Sequence, residues 1–366
     1  MKQPIQRPDF SETDLFIKPV EEADTIPSAW YTDSRLHEWD QQTLFSQSWQ
    51  CVGHVSRVSN PGEYFAIELA GNPLLVVRDK EGILRAFYNV CRHRGGPLVT
   101  DESGCVNALQ CKYHGWTYWL DGMLRGVPEF DRVKLFDKKD FGLTPVDLQV
   151  WQGLIFLRLD EGGNQLDGAL EEIEQRISPL NLTDLKFHSQ VVYDIDCNWK
   201  VYIDNYLEGY HIPHVHPELN KLLDYREYKT ETFDFHSLQY SPFKEGENIY
   251  GSDGGEAFYY FVFPNMMFNI LPGRVQTNLI LPLTANRCRV IFDYHYDNLD
   301  SEAAKKRIRE DIDYSDEIQQ EDIDICLKVQ KGLQSRAYDR GRFSVTRESG
   351  VYHFQTLLKN AYQQSG

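Results

Sequence analysis

Residues 91–99 read CRHRGGPLV and residues 111–116 read CKYHGW, so the chain carries the pattern C-x-H-x17-C-x2-H. This pattern constrains the fold more than any other feature. Two sulfur and two nitrogen donors on short segments reach one metal centre only if the fold holds the two loops side by side. Each pair follows a β-rich run, ILRAFYNV or NALQ, and so sits on a loop leaving a predicted strand. Gly95, Gly96 and Gly115 flank the donors, where backbone must pass close to a bound group and donate N–H groups to it. Pro97 stiffens the first loop.

The spacing resembles the Rieske signature, in which two Cys hold one iron of a [2Fe-2S] cluster and two His hold the other. Replacing two thiolates by neutral imidazoles lowers the negative charge of the cluster and raises its potential. Structural zinc is the alternative for two Cys and two His. Zinc fingers, however, pair Cys with Cys and His with His, whereas each loop here supplies one of each. Cys91, His93, Cys111 and His114 are therefore the expected cluster ligands.

A second constellation lies in NWKVYIDNYLEGYHIPHVHPEL, residues 198–219. On a continuous helix Asp204, Glu208 and His211 would share one face. Pro213 is expected to interrupt that helix and Pro217 to close the segment, leaving His214 and His216 in an irregular turn near His211. Two His and one carboxylate make the facial triad of non-haem Fe(II) oxygenases, with positions left open for O2 and substrate. The carboxylate is sought in SDEIQQEDIDICLKVQ, where Ile318, Asp322, Ile325 and Val329 recur at helical spacing and set Asp322 within an apolar stripe. A carboxylate there is costly unless paired or bound to metal. Glu317 and Asp324 point away, while Glu321 at the border is the rival. The plainer reading makes residues 204–216 a polar helix end and Asp322 a salt-bridge partner.

The surrounding chain fits a two-part protein. Its 366 residues favour two domains, or one inserted in another. An irregular arm over 1–40 leads into a helix over 34–49, marked by Leu36, Trp39, Leu44 and Trp49. Short β runs with turns at Lys80-Glu81-Gly82 and Asp121-Gly122 then read as an all-β domain to about 160. Beyond 161 the pattern is mixed: a helix near 166–178, strands at 231–240, 258–271, 274–283 and 287–297, and a long polar helix from Ser301 that stops at Gly332. The net charge of −17 opposes binding to a nucleic-acid backbone. The polar amino terminus and the lack of an apolar run of about 18 residues predict no signal peptide and no membrane span, hence a cytoplasmic protein. Seven scattered cysteines resemble no disulfide framework and are expected as thiols or metal ligands.

With both constellations in place, the chain from about 30 to 358 resembles the catalytic α subunit of a Rieske non-haem iron oxygenase. The resemblance implies an α+β protein in which an all-β Rieske [2Fe-2S] domain, 49–160, is inserted into a helix-grip catalytic domain of antiparallel sheet and helices, 1–48 and 161–366. His211 and His216 match the family's H-x4-H iron ligands, which leaves His214 out, and Asp322 matches the aspartate of the C-terminal helix. The family usually has an aspartate three residues before the first iron-ligating histidine, joining the two metal centres of adjacent subunits. Here Glu208 stands there, as in the quaternary-ammonium branch, and a bridging role implies a homotrimer. Asp204, Asn205 and Tyr206 are expected to orient or cover the iron, the plainer reading being that they are polar capping residues.

The implied reaction uses O2 and external electrons to hydroxylate or oxidatively demethylate a small substrate. The electrons come indirectly from NAD(P)H, since the chain has neither G-x-G-x-x-G after a strand nor C-x4-C-x2-C. A separate reductase of flavin and ferredoxin type is therefore expected, steered by the acidic surface. The phrase FPNMMFNILP and the tail 329–358 resemble choline, glycine betaine and carnitine oxygenases, whose trimethylammonium substrates are attracted by aromatic faces. Phe261, Phe263 and Phe268 on predicted strands are candidates for such a pocket. An aromatic substrate is the competing class, and a Rieske electron carrier or a zinc-stabilised binding module would be a protein of another kind.

Overall fold

The β-rich stretch and the mixed stretch form two units. The computed structural model describes residues 6–160, 166–178, 180–244 and 256–364, and the chain divides into one unit of residues 45–163 and another of residues 1–44 with 164–366.

The smaller unit contains β1 (Gln50–His54), β2 (Glu63–Leu69), β3 (Asn72–Arg78), β4 (Leu84–Tyr88), β5 (Ser103–Cys105), β6 (Leu109–Gln110), β7 (Thr117–Tyr118), β8 (Leu124–Gly126), β9 (Asp147–Trp151) and β10 (Leu154–Arg158). They pair as antiparallel sheets in the orders β1-β10-β9, β4-β3-β2-β5 and β6-β7-β8. Leu74, Leu75, Val76 and Val77 are fully buried, as an unbroken apolar run in a central strand requires. The expected turns form: Gly82 takes φ +81°, and the buried Asp79 carboxylate accepts from Glu81 N, Ile83 N and Arg85 Nε. Cys91, Cys111, Trp116 and Tyr118 belong to the core of this unit, so the two motif loops are rooted in packed structure.

The larger unit begins with α1 (Glu12–Leu15), α2 (Ala29–Thr32) and α3 (Ser34–Trp39), and continues after α4 (Leu166–Ile177) with β11 (Lys186–Ile195). Next come α5 (Trp199–Tyr206), α6 (Ile212–Val215), α7 (Pro217–Leu222), β12 (Lys229–Thr232), β13 (His236–Pro242), β14 (Glu256–Val262), β15 (Met266–Leu271), β16 (Arg274–Thr284) and β17 (Arg287–Tyr296). The chain closes with α8 (Glu302–Leu333) and α9 (Ser349–Gln364). Seven strands form one antiparallel sheet in the order β11-β17-β16-β15-β14-β13-β12. Among the described residues no helix is long and apolar enough to cross a membrane.

Several local expectations change. The helix expected over 34–49 ends at Trp39 and passes through a π-type turn, Asp40–Phe45, before β1. The single strand expected over 258–271 is a hairpin, β14 and β15, that turns at Phe263–Pro264 with Val262 opposite Met266. The polar C-terminal helix is one continuous element, α8, started by the Ser301 hydroxyl accepting from Ala304 N at 3.1 Å. Neither β11 nor α9 was anticipated.

One buried ion pair ties the amino-terminal arm to α5 and α9. Lys200 Nζ lies 2.5 Å from Asp40 Oδ2, with side chains 1% and 0% exposed. Tyr362 Oη and Trp199 Nε1 also donate to the Asp40 carboxylate. Burial pulls the Lys200 pKa down, and Asp40 opposes that shift. Removing one partner of such a pair leaves the other charge buried and unpaired. Asp40→Ala is expected to lower stability by roughly 3–5 kcal/mol, read as the midpoint of urea unfolding; an unchanged midpoint would contradict the role assigned to the pair.

Candidate metal centres

The two motif loops close in the same way. Gly95 N donates to Cys91 O at 3.0 Å and Cys91 N to Gly96 O at 2.8 Å; Gly115 N donates to Cys111 O at 3.0 Å and Cys111 N to Trp116 O at 2.8 Å. The glycine four residues past each cysteine has a left-handed φ, +71° at Gly95 and +74° at Gly115, which glycine adopts without steric cost. Close approach belongs instead to Gly96, where a Cβ would lie 2.9 Å from Cys111 Sγ and 3.0 Å from Tyr113 Cβ. Buried Asn89 staples the first loop, its Oδ1 accepting from Leu98 N and Val99 N and its Nδ2 donating to Val99 O. Lys112 N joins the loops by donating to Pro97 O.

This arrangement brings the four predicted donors together. Tyr118 Oη lies 3.2 Å from Cys91 Sγ and accepts from Arg92 N. The His93 ring stacks on Trp116 at 4.8 Å and 8°, and its centroid is 4.8 Å from that of His114. Both cysteines are buried and His114 is exposed. Burial raises the Cys91 thiol pKa, opposed by the Tyr118 hydroxyl. A core-facing thiol pair beneath an outward imidazole pair fits a cluster with its His-bound iron nearer the surface. Asn89, Trp116 and Tyr118 did not stand out in the sequence, because their roles depend on packing between loops.

In the larger unit, α5 ends at Tyr206, so Asp204, Glu208 and His211 do not share a helical face as the spacing had implied. Glu208 instead folds over the following turn. Its carboxylate accepts from Tyr210 N and His211 N and lies 2.6 Å from His211 Nδ1. Pro213 and Pro217 stand in the first turns of α6 and α7, where no N–H is needed, so they start helices rather than break one. His211 precedes α6, His216 joins α6 to α7, and His214 points into solvent.

The two Nε2 atoms of His211 and His216 are 3.1 Å apart, and Asp322 Oδ1 lies 3.0 Å from His216 Nε2 and 3.7 Å from His211 Nε2. These three residues could hold a metal ion, with ligand atoms all within 4.8 Å of one another. Asp322 is on the inward side of α8, but the stripe differs from the expected one. Val329 is 45% exposed, and the buried positions are Ala304, Ile308, Asp311, Gln319, Cys326 and Gln330. Its polar members have polar partners: Asp311 pairs with Arg274, Gln319 Oε1 accepts from Tyr202 Oη and Gln330 Oε1 accepts from Asn198 N. Glu321 stands behind the site, its Oε2 2.7 Å from His216 Nδ1. Burial disfavours charge on His216, yet hydrogen bonds to Asp322 and Glu321 prevail and raise its pKa.

Asn205 Nδ2 donates to Asp322 Oδ1 at 2.6 Å. Asp204 faces elsewhere, accepting from Tyr31 Oη at 2.5 Å and from Gln355 Nε2 at 3.3 Å. A cavity of about 90 Å³ opens beside Asp322. Tyr202, Tyr206, Tyr259, Phe292 and Tyr314 form its aromatic wall, and Asn269, Gln276, Asn278 and Gln319 present amides to it. Phe261, Phe263 and Phe268 do not line it. The first two pack against Phe354 of α9, and all three are core residues.

Two outcomes follow from this geometry. Gly96→Ala is expected to lower acid-labile sulfide per chain sharply while iron bound at the His211, His216 and Asp322 site persists; full sulfide content would show that the close approach is unnecessary. Burial raises the Asp204 pKa to about 7, opposed by Tyr31 and Gln355. A carboxyl group that ionises earlier in the unfolded chain costs stability progressively between about pH 4 and pH 7. Asp204→Asn removes that cost, so its melting temperature relative to the native protein should rise across this window; a constant difference would contradict the assignment.

Residues 48–137 match the family described as Rieske [2Fe-2S] domain, and residues 182–364 match that described as ring hydroxylating alpha subunit (catalytic domain). The chloroplastic choline monooxygenase of Arabidopsis thaliana is 36% identical over 357 residues, covering 93% of this chain and 83% of that protein. The carnitine monooxygenase oxygenase subunit of Escherichia coli (strain K12) is 31% identical over 370 residues, covering 97% and 98%. The solved structure of a quaternary ammonium Rieske monooxygenase, studied for carnitine oxidation by gut microbiota and inter-subunit electron transfer, superposes with a TM-score of 0.87 at 30% identity over 98% of this chain and 100% of that one. The chain therefore belongs to the Rieske non-haem iron oxygenases, as an α subunit built around a Rieske [2Fe-2S] cluster and a mononuclear iron.

Proposed function

We propose that this enzyme is the oxygenase component of a monooxygenase acting on a small quaternary ammonium compound. The observation that carries the reading is the tyrosine-walled cavity beside Asp322, in a chain whose relatives are named for choline and carnitine. Aromatic faces attract a desolvated trimethylammonium group through their ring quadrupoles.

In this reading Cys91, His93, Cys111 and His114 hold the cluster, and His211, His216 and Asp322 hold the iron. Bound there, the cluster supplies single electrons and the iron supplies O2 activation. The protein's own part is orientation. Glu208 and Glu321 each accept a hydrogen bond from the Nδ1–H of a histidine, which leaves the opposite Nε2 lone pair for the metal. Asn205 fixes one oxygen of Asp322. Asp204 supports from further back, holding α5 to Tyr31 and to Gln355 of α9.

The domain assignment is 49–160 for the cluster and 1–48 with 161–366 for the iron. Glu208 is the bridge between the iron of one subunit and the cluster of the next in a homotrimer, a reading supported by the inter-subunit electron transfer studied in the solved relative. NAD(P)H electrons arrive through a separate flavin and ferredoxin type reductase. The assigned compartment is the cytoplasm, in keeping with seven cysteines none of which forms a disulfide among the described residues.

The test combines metal analysis with turnover. Native protein should contain about three irons and two sulfides per chain, give a Rieske-type EPR signal when reduced, and consume O2 with choline in the presence of a reductase. His211→Ala should keep the signal, fall to about two irons and lose turnover. About two irons in both proteins after iron-replete expression would leave only an electron carrier.

A further inference from the structure

The cavity extends from Asp322 along a polar track between β16 and α8. Alternate residues Arg274, Gln276 and Asn278 share one face of β16. Facing them, Asp311, Ser315, Gln319 and Asp322 recur at helical spacing along α8. Arg274 Nη1 donates to Asp311 Oδ1, and Arg274 Nη2 donates to Gln276 Oε1 at 2.7 Å. Gln276 Nε2 in turn donates to Asn278 Oδ1 at 2.7 Å, and Tyr296 Oη donates to Asp311 Oδ2 at 2.6 Å. Asp311 lies three helical turns, about 16 Å, before Asp322. Arg274 itself reaches back to Gln276 Oε1, which also accepts from Ser315 Oγ two turns (about 10 Å) before Asp322, so a substrate with its ammonium group against the tyrosines near Asp322 directs its tail toward Arg274.

The charge at that end is already cancelled. Arg274 lines the cavity, but its side chain is 6% exposed and is paired with an Asp311 side chain that is 1% exposed. A carboxylate tail would bring a second negative charge to a guanidinium that Asp311 holds, in a place where unpaired charge is costly. Neutral polar groups fare better. Tyr314 Oη and Gln319 Nε2 are buried, make no hydrogen bond among the described residues, and belong to residues that line the cavity. Both can serve a hydroxyl, and neither carries charge to neutralise a carboxylate.

We propose that the buried Arg274–Asp311 pair sets substrate choice, admitting a quaternary ammonium compound with an uncharged, hydroxyl-bearing tail and excluding one that ends in a carboxylate. This rests on the quaternary ammonium reading above. Asp311 acts through Arg274 as a specificity-determining residue and does not itself touch substrate.

The test is calorimetric binding of choline and of γ-butyrobetaine to the metal-loaded native protein, to Asp311→Asn and to the double variant Arg274→Met/Asp311→Leu. Native protein should bind choline at least about tenfold more tightly. Asp311→Asn keeps the shape but leaves the Arg274 charge uncancelled, and should move the ratio toward γ-butyrobetaine by about tenfold or more. The double variant removes both charges and should retain the preference for choline, which separates charge from general damage. Equal native affinities, or a ratio in Asp311→Asn no different from that in the double variant, would overturn the proposal. Failure of the native protein to bind either compound would instead remove the quaternary ammonium reading, and this proposal with it.

Discussion

Two glutamates hold the candidate iron ligands from behind, and the rest of the larger unit is arranged around that fact. Glu208 lies 2.6 Å from His211 Nδ1 and Glu321 lies 2.7 Å from His216 Nδ1. A carboxylate at Nδ1 fixes the tautomer with its proton there, so the Nε2 lone pairs face forward toward Asp322. The histidines need this support because neither is held by regular structure: one precedes a four-residue helix and the other follows it. Glu208 also anchors its own turn, since its second oxygen accepts from the backbone of Tyr210 and His211. Oε1 keeps further acceptor capacity beyond His211.

The cluster loops were legible because their information is local. A cysteine, a histidine two or three residues on, and a glycine four residues past the cysteine describe each loop almost completely, and both glycines have the positive φ that the closure demands. The histidines around 211 were legible as residue types, but the local shape was not. The end of α5 depends on distant groups, among them Gln239 Nε2 donating to Tyr206 O at 2.7 Å. No spacing rule within residues 198–219 contains that bond. Asp322 was read as part of an apolar stripe, although the buried face beside it mixes Asp311, Gln319 and Gln330 with Ala304, Ile308 and Cys326. Helical periodicity marks an inward face whether its partners are leucines or amides.

The substrate cavity was the least legible part. Its walls come from α5, α7, β14, β15, β16, β17 and α8, and the register of the sheet decides which side chains meet. Tyr259 stands opposite Asn269, Asn269 opposite Gln276 and Gln276 opposite Tyr294, forming a cross-strand row on one face. A search for aromatic-rich strands selects Phe261 and Phe263, which serve the core against Phe354 of α9, an element that the sequence reading did not anticipate. The neighbouring element rather than aromatic content separates the two groups: Phe261 and Phe263 meet α9, whereas Tyr259 and Phe292 line the cavity beside α8.

Charge shows the same dependence on where residues fall. The net charge of −17 suggested an acidic surface that steers the electron donor. Residues 45–163, however, contain 13 Lys and Arg against 14 Asp and Glu, so nearly all of the excess acid belongs to the other unit. On the cluster loops themselves Arg92, Arg94 and Lys112 are exposed. Charges separated by more than about 8–10 Å in physiological salt are largely screened. The cluster loops themselves therefore present cations at their surface, a local feature that the net charge of the chain does not reveal.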